Sequence, residues 1–250
     1  MDYVAEYATV ELGAFEYQSN PWNKGDLRYG LDYAQRLGKS PTAEALRLHW
    51  MWPKEQADIS AYPGFILGMK PWSDRSTTPH LPAPIASLTD LAVAIDLDWD
   101  AGQSNFNVAF DLWIADAIQN GPDVVLNEVM IWVKPWDWPI SDSSAATYAD
   151  QNGVANIYHR ANHEVGSDTW QYTAVIYQTA IRQGRIDLDD VLGQLVDLGY
   201  LDPTHYLMDI ELGAEVVSGT GWLDIRELRV SFGEEAETLV TPEVLAPLRP

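Results

Sequence analysis

Apolar and polar residues alternate along much of the chain, in short runs that Gly, Pro, Asn, Asp and Ser separate. Alternation with a period of two places successive side chains on opposite faces of a β-strand. Strands are therefore predicted at residues 8–17, 45–52, 63–69, 90–98, 105–115, 124–134, 154–160, 170–178, 205–217 and 222–232. Such a succession of strands, with little helix between them, predicts an all-β fold built as an antiparallel sandwich or barrel.

One segment has the helical period instead. Within residues 186–202, apolar residues recur three and four positions apart, at Leu188, Val191, Leu192, Leu195 and Val196. Asp187 is expected to cap the start of this helix, and Gly199 to end it. The pattern predicts a single amphipathic helix that packs outside the sheets and has a structural role.

The length of 250 residues fits one large all-β domain or two small ones. We expect this domain to occupy residues 1–232. The pattern changes character after Phe232, and residues 233–250 are expected to form a C-terminal extension or tail.

Two neighbouring predicted strands each combine an apolar face with a face that carries a carboxylate. Between residues 107 and 115, every second side chain from Val108 onward is apolar, and Asp111 faces the opposite way. Between residues 127 and 133, Glu128 and Trp132 lie on the face opposite the apolar one. A solvated face would favour Lys, Thr and Glu rather than Trp, so this mixture indicates a partly closed cleft.

The segment 205–217 is expected to repeat this design. Its core face is predicted to carry Tyr206, Met208, Ile210 and Leu212. The opposite face is predicted to carry Leu207, Asp209, Glu211, Gly213 and Glu215.

The charge balance excludes several kinds of partner. There are 15 Lys and Arg against 37 Asp and Glu, which gives a formal net charge of −22. Such a surface repels nucleic acid, anionic membranes and anionic polysaccharides. The absence of cysteine excludes disulfides, thiolate metal sites and cysteine nucleophiles. The Asp-rich stretch at 96–102 suggests a calcium loop, but its glycine is misplaced and a strand end is favoured; no metal or other cofactor is expected.

Two targeting signals are missing from the pattern. No apolar segment reaches the roughly 20 residues that a membrane-spanning helix needs. The first residues lack the basic and then apolar regions of a signal peptide. We expect a secreted protein whose leader has been removed, with a cytoplasmic location as the alternative.

The chain is rich in aromatic residues, with 11 Trp and 12 Tyr. Indoles are costly to bury unless the N–H finds a partner, and their flat faces stack on sugar rings. For any single Trp, a place in the core and a role as a sugar platform stay equally open. Carboxylates beside such platforms suit glycosidic hydrolysis, in which one carboxylate attacks and another protonates the leaving oxygen. The alternative is that the outward acidic positions are only solvated charge.

The order of several local motifs resembles family 12 of the glycoside hydrolases, the small jelly-roll β-1,4-endoglucanases. The motifs are FEYQSNPWN (15–23), AYPGFILGMKPW (61–72), NVAFDLW (107–113), NEVMIW (127–132) and LGAEVVSGTG (212–221). The resemblance spans most of residues 10–232, and its specificity comes from the joint order and spacing of short motifs. The sequence departs from the family pattern at Ser19 and Pro21, which flank Asn20.

The resemblance implies a fold and an activity. The fold would be a two-sheet antiparallel β-sandwich (jelly roll, concanavalin A-like) with a concave substrate cleft and one α-helix. The activity would be endo-acting hydrolysis of β-1,4-glucan with retention, on cellulose, mixed-linkage glucan or xyloglucan. Glu128 would be the nucleophile, Glu215 the acid and then the base, and Asp111 the residue that orients and tunes Glu128.

The same resemblance implies the substrate-binding residues. These would be Asn20, Trp22, Trp50, Met130 and Trp132, with His49 and Trp52 as weaker candidates. Met130 and Trp132 would lie beneath the cleaved bond or pack inward at a sheet bend. Trp136 and Trp138 would either extend the cleft or pack a loop.

Rival interpretations make different predictions. A non-catalytic carbohydrate-binding jelly-roll module would need neither Glu128 nor Glu215. A polysaccharide lyase would need a Tyr/His pair and a basic patch, which the net charge of −22 disfavours. We therefore expect a monomeric enzyme whose partner is a polysaccharide.

Overall fold

The structure, a computed structural model, describes residues 5–100, 104–136 and 143–240. Within these residues the chain forms strands and a single α-helix. In chain order the elements are β1 (Thr9–Leu12), β2 (Phe15–Gln18), β3 (Ala34–Lys39), β4 (Leu46–Trp52), β5 (Gly64–Gly68), β6 (Ala83–Pro84), β7 (Leu91–Trp99), β8 (Ser104–Phe106), β9 (Val108–Ala115), β10 (Val125–Lys134), β11 (Ala146–Asp150), β12 (Gly153–Val165), β13 (Asp168–Tyr177), β14 (Gln183–Asp187), α1 (Leu188–Asp197), β15 (Tyr206–Leu207), β16 (Asp209–Gly213), β17 (Val216–Phe232) and β18 (Glu235–Thr238).

The strands form two sheets, which confirms the predicted all-β sandwich. An 11-stranded sheet, here called the cleft sheet, has the order β1-β2-β5-β16-β9-β10-β13-β12-β11, with β6 and β15 joined at β9. A 7-stranded sheet, the outer sheet, has the order β14-β7-β17-β4-β3, with β8 and β18 paired to β17. Alternate residues of both sheets are buried between them, for example Phe110 and Leu112 of β9 and Val93 and Ile95 of β7. Burying each such side chain contributes about 1.5–3 kcal/mol.

The predicted helix is confirmed as α1, which covers Leu188–Asp197. Its apolar stripe is buried at Leu188, Val191, Leu192 and Leu195. Asp187 occupies the cap position without a side-chain capping bond, because its carboxylate pairs instead with Arg185 at 2.7 Å. Gly199 ends the helix with φ +75°, as expected. No helix among the described residues is long and apolar enough to cross a membrane.

The cleft sheet departs from a wholly antiparallel arrangement at its centre. Strands β10 and β13 run parallel, with Glu128 beside Tyr172 and Met130 beside Ala174. The strand β13 reaches this position because it follows the long hairpin with β12, to which it pairs antiparallel. The parallel pairing brings the side chains of β13 next to Glu128.

The outer sheet continues past residue 232. Strand β18, Glu235–Thr238, pairs antiparallel with β17 in the segment that we expected to be an extension. Residues 235–238 of the expected tail therefore belong to the outer sheet. Residues 241–250 lie outside the described residues.

An irregularity between β15 and β16 shifts the alternation of the segment 205–217. Leu207 pairs with Ile114, whereas Glu211 pairs with Asp111, so the β15–β16 side is one residue longer than β9 between these pairs. Leu207 consequently lies in the core between the sheets, and Met208 packs on the other face against Trp113. Tyr206 likewise packs against the cluster of Met208 and Trp113 rather than in the core. The prediction was wrong for Tyr206, Leu207 and Met208 and correct from Ile210 onward.

Candidate active site

The face of the cleft sheet turned away from the core lines a cleft of about 980 Å³. The strand alternation places Asp111 from β9 and Glu128 from β10 on this face. Glu215, between β16 and β17, also lines the cleft, because the alternation of β16 continues through Gly213 to Glu215. The structure therefore brings together the carboxylates that the sequence analysis singled out as a catalytic group.

Glu128 is a partly buried side chain with an indole as its hydrogen-bond donor. The Nε1–H of Trp170, on β13, donates to Glu128 Oε2 at 2.7 Å. Burial raises the pKa of Glu128 to about 7, although the Trp170 hydrogen bond and the nearby cation Lys70 both lower it. The charge of Glu211 raises this pKa further.

Asn107 holds Glu215 through both its backbone and its side chain. The backbone N–H of Asn107 donates to the carbonyl oxygen of Glu215 at 3.2 Å. The N–H of Glu215 donates to Asn107 Oδ1 at 2.9 Å, and Asn107 Nδ2 donates to the carboxylate of Glu215. Asn107 itself is fully buried. This set of contacts fixes the direction in which the Glu215 carboxyl points.

Glu215 has the highest pKa of the catalytic candidates for which a value is resolved. Burial raises the pKa of Glu215 to about 8, and the negative charge of Glu128 adds to this shift. The hydrogen bond from Asn107 lowers the pKa of Glu215, whereas the charge of Lys70 helps to lower that of Glu128. The environments therefore set Glu128 to ionise before Glu215.

Asp111 is a buried carboxyl, only 6% exposed. It lies on β9 opposite Met130 of β10, two positions along from the pair formed by Trp113 and Glu128. Burial raises its pKa well above the ordinary value, and the charges of Glu128 and Glu211 raise it further. Within the described part of the chain its Oδ1 atom has no hydrogen-bond partner, which fits a carboxyl that carries a proton.

Indole rings form the walls of the cleft. Trp72 packs edge-to-face on Trp113 at 4.9 Å between ring centroids, and Trp113 packs on Trp170 at 5.3 Å. At another part of the cleft, Trp132 packs edge-to-face on Trp136 at 5.4 Å. These contacts fix the orientation of each ring and link the exposed Trp72 to the indole that donates to Glu128.

Most of the expected substrate-binding residues line the cleft, namely Asn20, Trp22, Met130 and Trp132. Trp22 is 51% exposed, as a sugar platform requires. Met130 and Trp132 face the cleft rather than packing inward, and Trp136 extends its wall. Trp138 lies outside the described residues.

The expectation for Trp50 was wrong. Trp50 belongs to β4 in the outer sheet, where it is fully buried and packs edge-to-face on Phe106. Its Nε1–H donates to Ser104 Oγ at 2.8 Å, so the indole is satisfied inside the core. The weaker candidate Trp52 is likewise buried and stacks on Tyr33. His49 also lies on β4, outside the cleft lining.

Several cleft residues were missed by the sequence analysis. Trp72 is 44% exposed on the cleft wall and lies in a loop after β5. Lys70 lines the cleft two residues earlier, and Tyr172 comes from the parallel strand β13. The abundance of Trp was the only signal for Trp72, whereas Lys70 and Tyr172 depend on pairings between distant segments.

The other candidate sites have structural partners. Asp96 pairs with Arg226 at 3.0 Å, and Asp98 is bound by Arg182 and Arg226. In the part of the chain that the structure describes, no cluster of His, Asp and Glu has metal-ligand geometry.

The fold and site can be compared with known proteins. No family model matches the chain. Endoglucanase S of Pectobacterium parmentieri is 20% identical over 216 residues, which cover 85% of this chain and 79% of that protein. Among solved structures, a family 12 xyloglucanase from Bacillus licheniformis has a TM-score of 0.81 at 18% identity, covering 92% of this chain and 99% of the other. Endoglucanase Cel12A from Rhodothermus marinus has a TM-score of 0.75 at 19% identity, with coverage of 96% and 100%.

These likenesses extend over nearly the whole chain. Endoglucanase 3 of Trichoderma harzianum, also from family 12, has a TM-score of 0.74 at 16% identity and covers 93% of this chain and 97% of its own. The protein has the two-sheet jelly-roll fold seen in the family 12 glycoside hydrolases. The expected resemblance is thus confirmed at the level of the fold.

Proposed function

We propose that the protein is a family 12 glycoside hydrolase that cleaves β-1,4-glucan chains internally with retention of configuration. The observation that carries this proposal is the pair Glu128 and Glu215, which share one Trp-walled cleft and have pKa values of about 7 and about 8. Double displacement requires one ionised and one protonated carboxyl at the same time. The different environments of these glutamates provide that combination in a window near neutral pH.

Glu128 is proposed as the nucleophile. It ionises first, since the Trp170 N–H and the charge of Lys70 favour its anionic form. Its attack on the anomeric carbon would form a covalent glycosyl-enzyme. Asp111, buried beside it, would share a proton with this carboxylate and so tune its charge as the bond forms.

Glu215 is proposed as the general acid and then the general base. Its raised pKa keeps a proton available for the leaving glycosidic oxygen. After the leaving group departs, the ionised Glu215 would remove a proton from water, and that water would release the sugar from Glu128. Asn107 holds the Glu215 carboxyl during both steps.

A polymeric glucan suits the shape and the walls of the cleft. A volume of about 980 Å³ exceeds what one sugar ring fills, and the exposed indoles Trp22 and Trp72 both line it. The relatives named endoglucanase and xyloglucanase support a β-glucan substrate. We infer binding of several consecutive glucosyl units, with Met130 and Trp132 beneath the cleaved bond.

The first experiment measures reducing-sugar release from carboxymethylcellulose, mixed-linkage β-glucan and xyloglucan. Wild type is compared with the variants Glu128→Gln and Glu215→Gln, which keep side-chain shape and remove the acid–base function. We expect wild type to release reducing ends from at least one glucan, and each variant to be slower by about 10²–10⁴-fold or more. Proton NMR of the first product should show the β-anomer.

The matched control is Glu227→Gln, because Glu227 is an exposed glutamate of β17 in the outer sheet. This variant should retain wild-type activity. Full activity in Glu128→Gln or Glu215→Gln would contradict the assigned roles. Retention of wild type on a glucan affinity gel without any release of sugar would instead support the binding-module interpretation.

A further inference from the structure

A buried ion pair lies beneath the proposed catalytic carboxylates. Lys70 Nζ donates to Glu211 Oε1 at 2.6 Å and to Glu211 Oε2 at 2.7 Å. The Lys70 side chain is 13% exposed and that of Glu211 only 2%. Because Lys70 also lines the cleft, the pair connects Glu211 of β16 to the surface of the cleft.

The fold brings Lys70 to Glu211 through a close approach at Gly68. This glycine has φ +121°, and a Cβ there would lie 2.6 Å from the carbonyl oxygen of Met208. Thr77 clamps the turn from both sides, since its hydroxyl accepts the Gly68 N–H and its N–H donates to the Gly68 carbonyl. The segment that carries Lys70 is therefore held against β16.

Glu211 stands directly beside the proposed catalytic group. It is the cross-strand neighbour of Asp111 on β9. Asp209, two positions earlier on β16, is fully buried, and its Oδ1 accepts the backbone N–H of Trp113 at 3.3 Å. One oxygen of Asp209 and one of Asp111 have no hydrogen-bond partner among the described residues. Lys70 therefore lies close to several buried carboxyl groups, of which it binds that of Glu211.

Stability alone does not account for this pair. A buried ion pair contributes little over well-packed apolar side chains, since desolvation offsets the attraction between its charges. Burial alone would lower the pKa of Lys70, but Glu211 and Asp209 raise it and keep the lysine cationic. A lasting positive charge is therefore present at the floor of the cleft, and its effect reaches Asp111 and Glu128.

Resting on the proposed function, we propose that Lys70 and Glu211 are positioning residues for the reaction. Together they fix the position of the Asp111 carboxyl and the electrostatic potential around it. Through Asp111 they act on the nucleophile Glu128. Neither residue touches the reacting atoms. Removing either charge alone would shift the pKa values of Asp111 and Glu128, whereas removing both together would nearly restore them.

The direction of each effect follows from the charges. Lys70 lowers the pKa of Glu128 and of Asp111, and Glu211 raises both. Lys70→Met therefore raises the pKa of Glu128, and the acidic limb of the kcat/KM profile moves to higher pH. Glu211→Gln lowers that pKa, and the acidic limb moves to lower pH. The double variant should return close to wild type.

The test records kcat/KM against pH on the best glucan substrate for wild type, Lys70→Met, Glu211→Gln and the double variant. Each single variant should move the acidic limb by about one pH unit, in opposite directions. Other titratable groups that line the cleft or lie beside Glu128 also contribute to the pH profile of every variant. These are Asp58, Tyr62, Asp111 from β9, Asp209 from β16, Glu215, Tyr172 from β13, and Tyr158, Arg160, His163 and Glu164 from β12.

A second buried ion pair supplies the matched control. Arg47 binds Asp224 at 2.5 Å and 2.7 Å in the outer sheet, with side chains 10% and 2% exposed. Arg47→Met and Asp224→Asn should lower the melting temperature without moving the acidic limb. Lys70→Arg, which keeps the positive charge, should leave the limb near its wild-type position.

The possible outcomes separate this inference from the proposed function. Opposite shifts that the double variant cancels would support the positioning role. An unmoved acidic limb in every single variant that folds, Lys70→Met or Glu211→Gln, with wild type active, would overturn it and leave the hydrolase intact. An inactive wild type would instead overturn the proposed function. If Lys70→Met does not fold, Glu211→Gln alone decides by the direction of its shift.

Discussion

Glu128 and Glu215 are the same residue type in the same cleft, yet each meets different partners. Glu128 accepts an indole N–H and lies within the influence of Lys70, whereas Glu215 is held by the neutral amide of Asn107. Both pKa values are raised by burial, and these partners decide which is raised more. The acid and the nucleophile are thus distinguished by single contacts.

The contact from Trp170 can be tested by removing one N–H group. Trp170→Phe keeps an aromatic ring in place and deletes the donor to Glu128 Oε2. A hydrogen bond to a charged group stabilises the anion by about 1.5–3 kcal/mol, so its loss raises the pKa of Glu128. We expect the acidic limb of kcat/KM to move up by about one pH unit.

Trp113→Phe is the matched control for this change. Trp113 lies in the same row of edge-to-face indoles, but its Nε1 has no hydrogen-bond partner among the described residues. Its replacement should leave the acidic limb where it is in wild type. Equal shifts in both variants would mean that ring packing, rather than the donated hydrogen bond, sets the charge of Glu128.

The carboxylates of the site follow from the sequence because strand alternation is a local property. A period of two places Asp111, Glu128 and Glu215 on the faces that line the cleft, and the structure has them there. The assignment of Trp50 to the cleft came from the family resemblance, and alternation could not correct it because alternation does not reveal which sheet a strand joins. Lys70 carries no local signal at all, since its role depends on a partner far along the chain.

At the scale of elements, the site depends on how closely the strands next to β16 approach it. Gly68 of β5 meets the backbone of Met208 and Asp209 where a side chain would not fit. Gly213 of β16 meets Tyr62, whose hydroxyl donates to the carbonyl of Ala109 at 2.9 Å. The close contacts at Gly68 and Gly213 lie at the two ends of β16, next to the segments that carry Lys70 and Glu215.

Gly68→Ala tests this approach. The new Cβ would lie 2.6 Å from a carbonyl oxygen and 2.7 Å from the Cα of Asp209, in a backbone conformation that favours glycine. We expect a loss of several kcal/mol in stability, since both strain and overpacking contribute, each costing about 1–3 kcal/mol. Differential scanning calorimetry should show a lower melting temperature, together with reduced activity.

Gly193→Ala offers the opposite case on α1. Apart from its chain neighbours and the helix's own backbone, no described atom lies within 4 Å of the added Cβ, and alanine favours a helix by about 1 kcal/mol. This variant should be as stable as wild type or slightly more so. A melting temperature for Gly68→Ala equal to that of wild type would show that β5 and β16 can separate without cost.

The elements themselves were predictable where the pattern was long and regular. The segments that became β7, β9, β10 and β17 have extended alternating runs, and α1 has a clear helical period. Short edge strands such as β3 and β14 were missed, because their stability comes from pairing with neighbours rather than from their own pattern. The extra residue between β15 and β16 was also invisible, since a bulge depends on the partner strand.

At the scale of the whole molecule, the arrangement that suits catalysis opposes stability. The protein carries a formal net charge of −22 and also concentrates carboxyl groups in one cleft. Ionising Glu128 and Glu215 inside the folded protein is less favourable than in the unfolded chain, because burial raises both pKa values. The cleft therefore stabilises the fold most when it is protonated, and least when it is ready to react.

This conflict predicts how stability changes with pH. Both glutamates have folded-state pKa values above the ordinary value of 4.5, about 7 for Glu128 and about 8 for Glu215. Between about pH 4.5 and pH 8 the folded state binds more protons than the unfolded state, so the contribution of these groups to stability falls as pH rises. The double variant Glu128→Gln/Glu215→Gln cannot ionise at these positions. We expect its melting temperature to exceed that of wild type at pH 8 by at least about 2–4 °C, the shift that 1 kcal/mol produces in a chain of this size.

The comparison is decisive when it is made at both ends of the pH range in the same salt. At pH 5 both glutamates are protonated in the folded protein, so wild type and the double variant should melt at similar temperatures. The exposed control Glu227→Gln should follow wild type throughout, because the repulsion of the acidic surface acts on both alike. If the advantage of the double variant were the same at pH 5 and pH 8, it would come from packing of the amides. If the advantage of the double variant grows with pH, the ionisation of the buried Glu128 and Glu215 lowers the stability of the folded protein.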